Sequence, residues 1–282
     1  MKTSNKLLII FALLMFIIPL TIMAYTINKD YKFPEQIKAQ ETANANFNTP
    51  SDGFVTLKSK AFKSISVRGR ANKSWYLNLV NDAAHGAKVS EVYKDFVSMS
   101  VDENEQLHII IKGDHQEIKY PIAIYVYAPK IEELNLSDLD AITVNFKNSE
   151  APLRLNAKNV FLLNLEKDFN VSHLDLFEEK VNDLVLIGEG VKTLNLDLKS
   201  SRFKSEMKSF DSLNVKASGG SELNIFGDEQ GKTQFGIKQL TLNTSGKVDV
   251  NLTDMKLNNV SGNLSDETMI KIPMAYLKKM IK

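Results

Sequence analysis

A six-residue frame that recurs along the chain most constrains the fold. Each copy has an apolar residue, two free positions, a leucine, one free position and a second apolar residue. The copies are IEELNL, VSHLDL, VKTLNL, FDSLNV and IKQLTL, which begin at Ile131, Val171, Val191, Phe210 and Ile237. With a degraded copy at Leu153, the anchoring leucines from Leu134 to Leu213 are 19 to 21 residues apart. A period near 20 residues is typical of repeat proteins, whose units are buried by their neighbours.

Most repeats carry a second short apolar segment about ten residues after the first. ITVNF follows LNL, LVLIG follows LDL, LNIFG follows LNV, and VDVNL follows LTL. Leucine-rich repeats share the LxL frame, but they need Asn or Cys three residues after its last apolar residue. This chain has Leu139, Ser218 and Ser245 at such positions. Two strands per repeat therefore predict an all-β domain built as a parallel β-helix, a β-solenoid.

The alternation of side chains along a strand assigns a direction to each residue of the frame. The leucine and the apolar residue two positions later are predicted to point inward, and the residue between them outward. These outward residues are polar in every copy, as a surface requires, and we predict that they form the candidate binding face. They are Asn135, Arg154, Asp175, Asn195, Asn214 and Thr241.

The N-terminus carries a long apolar segment. Lys2 and Lys6 precede an uncharged run from residue 7 to residue 25, which approaches the span of a bilayer. Met23 and Ile22 before Ala24 make a poor cleavage site, which favours a retained signal-anchor over a cleaved signal peptide. We therefore expect one N-terminal transmembrane helix, a membrane contact through residues 7–25, and export of the remainder to the periplasm or cell exterior.

Composition changes divide the rest of the chain. Residues 26–60 contain Pro34, the patch AQETANANFN and the turn-forming TPSDG, which together predict a linker. Short alternating segments begin near residue 61 and continue to about residue 272, which predicts one β-domain. Residues 273–282 are predicted to form a C-terminal cap.

FKSISV, LHIII, IAIYVYAPKIEELNLSDLDAITVNF and the repeated LxV, SGG and LxI units resemble the auto-transporter adhesins with a head GIN domain, common in Bacteroidetes. The resemblance covers residues 61 to 272. It implies a single right-handed β-helix, often exported, and brings no catalytic residues. SDLD at Ser137 replaces the glycine pair of the family's turns, which survives as SGG at Ser218 and SG at Ser245.

Charge and motifs exclude several classes of function. The 35 basic and 34 acidic residues leave a net charge of +1, so no overall field favours nucleic acid. The four histidines lack metal-ligand spacing, and the chain has no phosphate loop or nucleophile elbow. We expect no metal and no cofactor.

The sequence leaves three functions open. A non-catalytic binding or adhesion module of the cell envelope, with a glycan or an envelope protein as its ligand, is favoured by the polar outward row. A structural or sensory component of an envelope complex is the alternative. A polysaccharide lyase or hydrolase is less favoured, because Asp175 and Asp197 differ by two positions within the frame and need not meet.

Overall fold

The computed structural model describes residues 3–30, 46–69, 74–112, 122–146, 151–231, 234–274 and 276–277. The chain divides into two compact units, Met1–Thr42 and Ala43–Lys282. The first contains helix α1, Thr3–Asp30. The second contains the β-structure on which every candidate site residue lies.

The described part of the second unit contains 18 strands and a short 3₁₀ helix, Glu91–Phe96. In chain order, the strands are β1 Phe54–Lys58, β2 Ser64–Arg68, β3 Ser74–Asn81, β4 Gly86–Ser90, β5 Val97–Val101, β6 Gln106–Ile111, β7 Ile122–Ala128, β8 Glu133–Phe146, β9 Leu153–Leu165, β10 His173–Leu186, β11 Thr193–Lys199, β12 Arg202–Glu206, β13 Phe210–Ser218, β14 Ser221–Phe226, β15 Gly236–Ser245, β16 Val248–Thr253, β17 Lys256–Asn263 and β18 Thr268–Lys271.

These strands form one large mixed sheet, so the prediction of a right-handed parallel β-helix is wrong. The domain is all-β, as expected, but it is not a closed solenoid. Strand β4 pairs antiparallel with both β1 and β7, and β5 pairs antiparallel with β6. Only four residues, 102–105, connect β5 to β6. A connection this short cannot make the crossover that a parallel pair requires.

Two series of parallel pairings run through the sheet, and the long strands β8, β9 and β10 belong to both. One series runs β6–β2–β8–β9–β10–β11–β13–β15–β17. The other runs β7–β3–β8–β9–β10–β12–β14–β16–β18. In each long strand, one residue with a left-handed backbone conformation separates the segment in the first series from the segment in the second. These residues are Asp138, Asn159 and Lys180. Gly219 and Gly220, with φ of 69° and 77°, lie at the turn between β13 and β14, as the sequence predicts.

The anchoring leucines form the centre of the core. Leu174 lies opposite Leu194, Leu194 opposite Leu213, and Leu213 opposite Leu240. All four are at most 1% exposed, which confirms their predicted inward direction. Leu134 is also fully buried, but it lies opposite Leu155. Leu153, the predicted anchor of β9, lies opposite Leu174, so the two-residue shift in register occurs between β8 and β9.

The predicted transmembrane helix is a second error. A bilayer crossing needs about 20 consecutive, predominantly apolar residues. No helix in the part of the chain that the structure describes is long and apolar enough to meet that need. Helix α1 includes Pro19 within its span.

The proposed division into residues 1–25, 26–60, 61–272 and 273–282 stays a prediction. Most of the proposed C-terminal cap lies outside the described residues. Tyr276, which is described, packs against the main core.

Truncation of one anchoring leucine tests the assigned inward facing. Leu194 is fully buried between Leu174 and Leu213. We expect Leu194→Ala to lower the free energy of unfolding by about 2–5 kcal/mol, because it removes buried methyl groups and leaves a cavity. Urea denaturation measures the loss. The control is Gln239→Ala at an exposed position of β15, for which we expect a change within about 0.5 kcal/mol. Equal losses in both variants would contradict the assigned facing.

Candidate functional site

Five of the six predicted face residues occupy one row across the first series of strands. Arg154, Asp175, Asn195, Asn214 and Thr241 lie at successive opposite positions of β9, β10, β11, β13 and β15. We call these five residues the central row. Neighbouring strands are about 4.8 Å apart, so the row extends about 19 Å across the sheet.

Asn135 does not belong to the central row. Its opposite residue is Asn156, whereas Arg154 lies opposite Glu133. Asn135 therefore begins a second row, two residues further along the strands. We call this set the adjacent row, and its members are Asn135, Asn156, Phe177, Asp197, Lys216 and Asn243.

The central row is linked by side-chain hydrogen bonds between strands. The Asn195 amide Nδ2 donates to Asp175 Oδ1 at 2.7 Å, and the Asn214 Nδ2 donates to Asn195 Oδ1 at 2.8 Å. In the adjacent row, Asn156 Nδ2 lies 2.7 Å from both Asn135 Oδ1 and Glu133 Oε1. These bonds fix the orientation of each amide, because Nδ2 donates while Oδ1 accepts.

Asp175 is the ionised centre of the central row. Partial burial opposes its ionisation, but hydrogen bonds to Asn195 and His173 outweigh that effect and lower the pKa of the carboxyl. His173 Nε2 lies 3.1 Å from Asp175 Oδ1, and Arg154 adds a favourable charge interaction. Asp175 is therefore a fixed anion at neutral pH. It is a hydrogen-bond acceptor on the face.

Phe177 projects from the adjacent row with 41% of its surface exposed. Its opposite residues are Asn156 on β9 and Asp197 on β11, and Asp175 is two residues away on its own strand. An aromatic ring is thus surrounded by amide and carboxylate groups. Phe177 lies one position beyond the six-residue frame and so was not among the predicted face residues, although one further step of the alternation from Leu174 and Leu176 places it outward.

The acid and base that meet on this face are Asp175 and His173, 3.1 Å apart. Asp175 and Asp197 lie in different rows, as their different positions in the frame predict. Within the described residues, no three His, Asp or Glu side chains converge as metal ligands would. His108 pairs with Asp102 at 2.9 Å in the β5–β6 hairpin, which is a separate location.

Two ionisable side chains are buried away from this face. Glu178 is 3% exposed and lies between Ala157 and Leu198, which are core residues. Desolvation raises the pKa of its carboxyl well above the ordinary value of 4.5. Desolvation also lowers the pKa of Lys208 to about 8. Neither side chain has a hydrogen-bond partner among the described residues.

Comparisons with known proteins find similarity in structure alone. No family model and no curated protein matches the chain. A "putative adhesin" from Bacteroides fragilis is 12% identical, with a TM-score of 0.39; the match covers 78% of this chain and 96% of that one. A "putative adhesin" from Parabacteroides distasonis is 14% identical, with a TM-score of 0.42 and coverages of 78% and 93%. A third, from Parabacteroides merdae, is 14% identical, with a TM-score of 0.38 and coverages of 77% and 94%.

These neighbours are adhesin-like by name and come from Bacteroidetes. The comparisons do not show a head GIN domain. They give no enzyme among the three neighbours, at identities of 12–14%.

The buried carboxyl of Glu178 makes stability depend on pH. Its folded-state pKa is raised, so its favourable contribution is complete below about pH 4.5 and is lost as pH rises toward the folded pKa. We expect Glu178→Gln to become progressively more stable than the wild type above that pH, by up to about 1.4 kcal/mol per pH unit. Urea denaturation at pH 4, 6 and 8 measures the difference.

The neighbouring, half-buried Glu179 is the matched control. A hydrogen bond from Lys158 lowers the pKa of the Glu179 carboxyl, so the stability that it contributes is lost as pH falls. The free energy of unfolding of the Glu179→Gln variant should therefore not increase relative to that of the wild type as pH rises. A constant difference between Glu178→Gln and the wild type from pH 4 to pH 8 would show that Glu178 is solvated.

Proposed function

We propose that residues 43–282 form an exported, non-catalytic binding domain of the bacterial cell envelope. We propose further that the central and adjacent rows bind an extended, polyhydroxylated ligand such as an envelope glycan. The observation that carries this proposal is the aromatic ring of Phe177, exposed between Asn156 and Asp197 and beside the hydrogen-bonded central row.

The rows retain hydrogen-bonding capacity after their mutual bonds are made. An Asn side chain offers two N–H donors and two acceptor lone pairs. Asn195 Nδ2 donates to Asp175 and lies 3.3 Å from His173 Nε2, and Asn195 Oδ1 accepts from Asn214 with one lone pair, so its second lone pair remains for a ligand. Sugar hydroxyls both donate and accept, and they match this mixture of amides and carboxylate.

Phe177 adds an apolar contact to this polar surface. A large ring supplies contact area at little conformational cost, while the surrounding amides supply orientation. The strand spacing repeats the polar contacts at about 4.8 Å. A ligand with its own repeat could engage several residues of one row at once and gain avidity from weak individual contacts.

Removal of the exposed ring tests the binding proposal. We expect Phe177→Ala to weaken retention on purified envelope polysaccharides by about tenfold, as for a central aromatic contact. Affinity electrophoresis on a panel of these polysaccharides measures retention. The control is Phe161→Ala, which removes another ring that is 64% exposed but lies in neither row. Both variants should melt as the wild type does.

Three outcomes would contradict the proposal. Equal retention of the Phe177→Ala variant would move binding away from these rows. Loss of retention by the Phe161→Ala variant alone would place the site elsewhere on the sheet. Turnover of a polysaccharide that is lost in an Asp175→Asn or Asp197→Asn variant would make the domain an enzyme.

Export is tested separately with a reporter. We propose that residues 1–25 act as a signal peptide, which is one of the two roles predicted for this segment. Fusion of alkaline phosphatase after residue 60 in a bacterial host should give an active, exported reporter with a new N-terminus near residue 25. Deletion of residues 1–25 should leave the reporter inactive in the cytoplasm. An active reporter after the deletion would refute the role.

A further inference from the structure

A groove of about 640 Å³ lies between two strands at the N-terminal side of the sheet. Residues of β1 and β5 line most of it, together with Gly86 and Ala87 of β4, Lys94 of the 3₁₀ helix and Leu107 of β6. Each strand has one partner in the described part of the sheet: β1 pairs with β4, and β5 pairs with β6. The groove is therefore bounded by two strand edges.

One edge of β1 is unpaired among the described strands and presents backbone groups to this groove. Ser59 N–H donates to the His85 carbonyl, and Glu91 N–H donates to the Gly53 carbonyl. In an antiparallel pair the residues that bond to the partner strand alternate with residues that do not. The backbone groups of Thr56 and Lys58 therefore point away from β4 and into the groove.

The same alternation applies to β5. Lys112 N–H donates to the Phe96 carbonyl, and Asp102 N–H donates to the Gln106 carbonyl. Between these two positions, the backbone N–H and C=O groups of Val97, Met99 and Val101 point away from β6. All three line the groove. Both strands thus contribute backbone donors and acceptors that their paired strands do not use.

Apolar side chains at the bottom of the groove are incompletely covered. Leu57, Met99 and Val101 are partly buried and pack against the main core. Ala87 and Leu107, which also line the groove, are 1% exposed. Apolar side chains entering from outside would extend this core, at about 25 cal/mol for each Å² of apolar surface removed from water.

The rim of the groove is basic. Lys58, Lys60 and Lys94 line it, and all three are exposed. Lys94 lies 4.0 Å from Glu91. Lys58 and Lys60 form no ion pair within the described residues. Positive charge at the rim favours an acidic partner over a neutral or basic one.

Strand β1 is held firmly enough to act as a template. Its neighbour on β4, Lys88, is fully buried, and its Nζ donates to the carbonyls of Asn46 and Thr49 at 2.8 Å. Lys88 Nζ also donates to Ser51 Oγ at 3.1 Å. These bonds fix the segment that leads into β1.

We propose that the groove between β1 and β5 binds an extended acidic segment of a partner protein, which adds to the sheet as a further strand. Alternate side chains of that segment enter the apolar floor, and the others meet the lysines at the rim. In such β-strand addition, backbone hydrogen bonds supply affinity and pockets for alternate side chains supply specificity. The site is separate from the central and adjacent rows and goes beyond the function proposed for them.

A seven-residue peptide of alternating Glu and Val, fluorescein-labelled and capped at both ends, is the probe. We expect it to bind the full chain at least about tenfold more tightly than the same peptide with Lys in place of Glu, because several weak charge contacts add. Fluorescence anisotropy measures both affinities. Versions N-methylated at alternate residues keep the charges but lose donors, and we expect them to lose binding. Unchanged binding of the N-methylated peptides would overturn strand addition.

Charge reversal locates the peptide on the protein. The double variant Lys58→Glu/Lys60→Glu should bind the acidic peptide about tenfold more weakly and prefer the Lys peptide. Lys247→Glu, at an exposed position between β15 and β16, should bind as the wild type does. Matching thermal melts show that both variants are folded. Equal weakening by both would indicate nonspecific electrostatics and overturn the proposal.

Two further results would also overturn it. Binding of oleate that resists peptide competition, with no peptide binding up to millimolar concentration, would make the groove a lipid site. Absence of any binding would make Lys58 and Lys60 protective charges on a sheet edge. The Phe177→Ala variant should bind the peptide normally, so this test is independent of the polar rows.

Discussion

Alignment of buried leucines across neighbouring strands is the constraint on which the sheet depends. Leu174, Leu194, Leu213 and Leu240 occupy one continuous inward row, and each is covered by its neighbours. A single strand cannot bury such a side chain on its own. These strands are parallel and in register. Alignment of the leucine row therefore also aligns every other row of residues across the same strands. The outward rows follow from the same geometry.

The polar rows are therefore a product of the core. Side chains alternate between faces, so fixing Leu194 inward fixes Asn195 outward and beside Asp175 and Asn214. The amides then satisfy one another in part and hold Asp175 ionised. Phe177 interrupts this polarity with an exposed ring. A surface with this composition suits binding, because its groups are preoriented and only partly used.

The groove arises where the regular parallel pairing stops. Antiparallel strands β1, β4 and β5 precede the repeats, and they leave two edges that the described sheet does not pair. A sheet edge carries unused backbone donors and acceptors, which is a hazard unless charges guard it or a partner occupies it. The lysines at the rim are compatible with either use. The apolar floor is what distinguishes a binding groove from a guarded edge.

The sequence by itself determined the all-β class, the inward leucines and the outward direction of the predicted face. Alternation with a period of two needs no knowledge of partners. Tertiary structure decided the row to which each residue belongs, because a two-residue shift keeps every side chain on its face but changes its neighbours. Asn135 consequently joined Asn156 instead of Arg154. The antiparallel pairings could not be predicted from the sequence either. The local pattern determines which side chains share a face of a strand, but the direction of pairing depends on connections and distant partners.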